Sequence, residues 1–97
     1  MNRDMQPTGT VLDKIVIASV RRARPEEAPL LAWPLTCGSA VAKRTRALQF
    51  REGVLEVEVA DTGWRNELQS LAPKYVATIN RYVAQKVLRI EFVIRSN

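Results

Sequence analysis

Histidine is absent from this 97-residue chain, and Cys37 is its only cysteine. Cys/His zinc sites, Cys-His dyads and Ser-His-Asp triads therefore cannot be assembled within it, and neither can an internal disulfide. Glycine is sparse and scattered, at positions 9, 38, 53 and 63, so neither GxxxxGK[ST] nor GxGxxG is present and nucleotide hydrolysis is not supported. Only six aromatic residues are available to the core. No apolar run approaches the roughly 18 residues of a membrane span, the longest being segments such as Ile15 to Ala18. No charged n-region followed by an apolar h-region opens the chain, so the expected location is the cytoplasm. No metal or cofactor is implied, and an enzyme is the least favoured class.

What is present is charge, unevenly placed. Residues 1–51 hold nine basic and four acidic side chains, whereas residues 52–97 hold six of each. The whole excess of +5 thus sits in the first half. Eleven of the fifteen basic residues are arginine, whose planar guanidinium grips phosphate bidentately and stacks on bases. For charge alone two readings stand, a polyanion partner or a contribution to solubility.

The length bounds the chain to one domain, expected over residues 10–95 behind a disordered stretch at 1–9. Thr10 is a candidate cap for a helix over Val11–Arg22, with Leu12, Ile15, Val16 and Ser19 at helical spacing. Pro25-Glu26-Glu27 reads as a second helix start, and Pro34 should kink or divide that helix. Arg46–Arg51 and Val54–Ala60 flank Glu52-Gly53 as a β-hairpin, in which Leu55, Val57 and Val59 alternate with Glu56 and Glu58. Asp61-Thr62-Gly63 opens a long helix whose apolar face runs through Trp64, Leu68, Leu71, Tyr75, Ile79 and Tyr82. Pro73 should bend or split it, with Ser70 as a candidate cap for the second piece. Leu88 to Arg95 alternates as a last strand. The order α-α-β-β-α-β predicts an α+β layer, a three-stranded sheet with helices packed on one face.

Glu56 and Glu58 project to one side of a strand, but on a polar face solvated carboxylates are the default and no catalytic pair is assigned. Cys37 has no histidine to activate it and reads as a small buried side chain. The remaining features are two basic clusters at helix ends, Arg21, Arg22 and Arg24, then Lys43, Arg44 and Arg46. If the two face the same side they neutralise several phosphates with little sequence information; the alternative is a solvated pair of helix caps. Trp64 is a candidate partner anchor by residue type, while its place on an apolar face favours core packing, and Trp33 follows the same logic.

The ordered set Leu31-Ala32-Trp33-Pro34, Cys37-Gly38, Leu55-Glu56-Val57-Glu58-Val59, Trp64-Arg65-Asn66-Glu67-Leu68 and Leu71 through Ile79-Asn80 resembles the DciA family. The resemblance covers about residues 10 to 95. It implies a K-homology-like fold and a bacterial, cytoplasmic and nucleoid-associated factor that interacts with the replicative DnaB-type helicase and helps it engage DNA. It singles out Trp33, Gly38, Trp64, Glu67 and Leu68. Cys37 departs from the family, where a β-branched residue is usual, and no long basic or polar extension is present. The folded domain is then expected to contact DNA through Arg21, Arg22, Arg24, Lys43, Arg44 and Arg46, and the helicase near Trp64 and Arg65. A K-homology-like RNA-binding or ribosome-associated module is the rival reading, although the GxxG loop that clamps RNA is missing.

Overall fold

The computed structural model describes residues 7–96, with side-chain surroundings from Lys14 onward. The elements in chain order are α1 (Pro7–Arg22), α2 (Ala28–Cys37), α3 (Ser39–Ala42), β1 (Thr45–Arg51), β2 (Val54–Val59), α4 (Thr62–Ile79) and β3 (Arg89–Ile94). Of the stretch 1–9 expected to be disordered, residues 1–6 lie outside the described residues, and Pro7, Thr8 and Gly9 belong to α1, which starts ahead of Thr10.

The sheet follows from the two alternating segments. β1 and β2 pair antiparallel around Glu52-Gly53, whose φ angles of 54° and 81° are both positive. Two positive φ values give the primed turn whose twist matches that of the flanking strands. Leu48 is the extra residue of a bulge between Ala47 and Gln49. β2 then pairs parallel with β3, giving the order β1-β2-β3. A parallel neighbour requires a long crossover, and the segment containing α4 supplies it.

Leu55, Val57 and Val59 are fully buried against the helices, together with Phe50, Ile90 and Phe92. At about 1.5–3 kcal/mol for each fully buried aliphatic side chain, the three β2 residues alone outweigh any ion pair on the opposite face. That face carries Glu56, Glu58, Glu91, Arg89 and Arg95 in exposed contacts, Arg89 to Glu91 at 2.7 Å and Arg95 to Glu58 at 3.6 Å. The helices thus cover one side of a three-stranded sheet, an α+β architecture.

Neither proline divides its helix. α2 runs through Pro34 and ends three residues later at Cys37, capped by Gly38, whose φ of 84° and ψ of 164° belong to a region that only glycine enters readily. The division falls at the residue with the special backbone, because a proline sacrifices one hydrogen bond while a mirror-region residue reverses the chain. α4 continues through Pro73, and Ser70 caps nothing: its hydroxyl donates back to the Glu67 carbonyl at 2.7 Å within the continuous helix.

The apolar faces also sit slightly off the expected stripes. Among the described side chains of α1 the core contacts come from Val16 and Val20, with Ile15 largely exposed, while that of Leu12 lies outside the described residues. In α2 the buried residues are Ala28, Pro29, Ala32 and Trp33, while Leu31 is exposed. α4 buries Leu68, Tyr75 and Ile79 as its spacing requires, with Leu71 on the exposed margin and Tyr82 in the turn beyond the helix.

Candidate nucleic-acid and partner interface

The turn between α3 and β1 carries three cations in four residues, and its shape is set from inside. Trp33 is buried on α2, edge-on to Tyr75 at 5.3 Å and tilted against Phe92 at 6.2 Å. Its indole N–H donates to Thr45 Oγ1 at 2.9 Å, and that hydroxyl donates onward to the Val41 carbonyl, also at 2.9 Å. Thr45 lies inside the run Lys43-Arg44-Thr45-Arg46. The core tryptophan therefore ties the basic turn to α2 through one hydroxyl. Thr45 was not singled out from the sequence, and only the partnership with a residue twelve positions earlier reveals its role.

From this turn Lys43, Arg44 and Arg46 all reach solvent. Arg44 lies over Trp64, its guanidinium carbon 6.0 Å from the ring centroid, at the outer limit of a cation–π contact. Trp64 is half-buried: it packs on the core and keeps part of its surface outside. Its position is held by Asp61, whose carboxylate accepts the Trp64 backbone N–H at 2.9 Å as the N-cap of α4. Arg65, next along, is half-buried, with Nε enclosed and lacking a hydrogen-bond partner. An enclosed guanidinium nitrogen without a partner among the described residues is costly to the fold.

The structure thus brings Arg44 of the second basic cluster over Trp64. Arg21, Arg22 and Arg24 lie at the end of α1 and in the connection to α2, all exposed. Among the described residues no hydrogen bond or ion pair joins them to the Lys43 turn, and none of the six cations pairs with a carboxylate. A cleft of about 600 Å³ opens beside the Lys43 turn, its lining including Val16, Pro34, Gly38, Ala42, Lys43 and Tyr82, with Lys43 the one charged group among the described residues.

Other reactive candidates are muted. Cys37 is partly buried, and burial pushes its thiol from 9.0 up to about 11, so little thiolate exists near neutrality. Burial likewise raises Tyr75, with Cys37 and Glu67 adding to the effect. Among the described residues no cluster of His, Cys, Asp and Glu could hold a metal ion, and no helix is long and apolar enough to cross a membrane.

A search of curated proteins returned no match. The family described as Dna[CI] antecedent, DciA, matches residues 7–92, which contain every helix and nearly all of the sheet. The match takes in the Trp33-anchored turn, the capped start of α4 and both basic clusters. The chain belongs to the DciA family, and that membership implies a role in bacterial DNA replication as a loader-type partner of the DnaB-type helicase.

Proposed function

We propose that this protein is a non-enzymatic adaptor that holds DNA beside the replicative helicase. DNA phosphates meet Arg21, Arg22, Arg24, Lys43, Arg44 and Arg46, and the helicase meets the surface around Trp64 and Arg65. Phosphate contacts of this kind carry affinity and little sequence information. Tethering DNA beside a bound helicase raises its local concentration and needs no chemical step.

The observation that carries the reading is the contact between Arg44 and Trp64, which makes one basic cluster and the partner surface neighbours. That all six cations are exposed, with no carboxylate partner among the described residues, supports it further. The test is fluorescence anisotropy with short single-stranded DNA at low and moderate salt, alongside a pull-down on the replicative helicase of the same organism. Replacing all six cations by alanine abolishes salt-sensitive DNA binding while circular dichroism stays native. Arg65→Glu weakens helicase capture and leaves DNA binding largely intact. Unchanged DNA binding in the six-residue variant would sink the site, and RNA outcompeting DNA would favour the K-homology-like RNA-binding reading.

A further inference from the structure

β3 is an outer strand of the sheet, and among the described residues nothing pairs with its free edge. The Arg89 N–H bonds the Gly53 carbonyl at 3.2 Å and the Arg95 N–H bonds the Val59 carbonyl at 2.8 Å. Backbone direction alternates along a strand, so Arg89, Glu91, Val93 and Arg95 turn toward β2. Ile90, Phe92 and Ile94 consequently aim their N–H and C=O groups outward, a row of the kind that templates another strand.

At the start of this strand, on the helix side, lies an apolar groove of about 400 Å³, lined by Ala72, Pro73 and Val76 of α4 and by Leu88, Arg89 and Ile90. Leu88 is the most exposed large apolar side chain described, at 73%. On the solvent side, Arg89 and Arg95 flank Glu91. Each arginine touches one carboxylate, the exposed Glu91 or the half-buried Glu58, and a guanidinium has five donors, so both retain capacity for another.

We propose that the free edge of β3 is a docking site for an extended segment of a partner protein, added as a fourth strand. Its inward side chains are apolar and fill the groove beneath α4. Its outward side chains are acidic near Arg89 and Arg95 and neutral between them, opposite Glu91 and Val93. A second copy of this chain fits poorly. α4 packs chiefly on β3 and little on β2, so two copies joined edge to edge would stack their α4 helices over strands only about 4.8 Å apart. Packed helices need about 8–10 Å between axes. The full-length antiparallel register would also oppose Arg89 and Arg95 of the two copies. A bare strand carries no helix and meets neither obstacle. This edge is on the far side of the sheet from β1, and the proposal does not depend on the DNA or helicase contacts.

The test is selection of displayed random peptides on the full chain, followed by anisotropy of the best labelled peptide. The expected winners alternate apolar residues with acidic ones placed toward both ends. Leu88→Asp puts charge into the groove, and Ile94→Pro removes an outward N–H that bonds nothing within the sheet. Each weakens the peptide by about tenfold or more with circular dichroism unchanged. Lysine in place of the acidic residues of the peptide abolishes binding. Failure to select that alternation, or equal binding to both variants, overturns the proposal. A concentration-dependent dimer dispersed by Ile94→Pro overturns it in favour of a second copy.

Discussion

The most consequential single residue in the candidate interface bears no charge. Thr45 accepts from a buried indole and donates to a helix carbonyl, so it satisfies one polar group of the core while fixing the turn that presents Lys43, Arg44 and Arg46. Thr45→Val keeps the shape and removes both bonds. The Trp33 N–H is then left without a partner, which costs about 1–3 kcal/mol. Urea unfolding should show that loss, and DNA affinity should fall although no cation has been removed. Thr45→Ser restores both. A DNA affinity unchanged in the valine variant would show that the turn holds its shape without this hydroxyl.

Among the elements, the β1-β2 hairpin has the most exacting backbone. Glu52 sits at φ 54°, a left-handed conformation that costs an L-residue about 1–2 kcal/mol, and Gly53 sits at φ 81°. Asparagine tolerates the first position far better than glutamate. Glu52→Asn is therefore expected to stabilise the domain by up to about 1 kcal/mol in denaturant unfolding. Gly53→Ala goes the other way by at least about 1 kcal/mol. There the strained φ is joined by a clash, since a Cβ would come within 2.6 Å of Leu88 Cδ1. Stability unchanged by both substitutions would contradict the turn geometry.

For the whole molecule the open matter is whether the two basic clusters serve one strand of nucleic acid. Counterion release makes this measurable, because log affinity falls against log salt in proportion to the phosphates neutralised. If all six cations engage one single strand, the slope is about −4; if only one cluster of three does, it is about −2. Neutralising Arg21, Arg22 and Arg24 alone should then halve the slope in the first case and leave it nearly unchanged when only the Lys43 turn binds.

The residues alone made much of this architecture legible. Alternation over Val54–Val59 and Arg89–Ile94, with Glu52-Gly53 as the turn signal, determined the strands, since a period of two sends every second side chain to one face. Asp61 ahead of an apolar period determined where α4 begins, and missing histidine excluded whole classes of chemistry at once. The basic clusters were visible as runs of arginine. Tertiary structure decided which of them has an aromatic neighbour, because the approach of Arg44 to Trp64 joins positions twenty residues apart that no local pattern relates. It also decided that α2 ends at Cys37, before Gly38, rather than at Pro34, that β3 runs parallel to β2 and has no further strand beside it among the described residues, and that Thr45 anchors the basic turn. Each of these depends on the balance of backbone strain, burial and pairing across distant segments, which local periodicity does not encode.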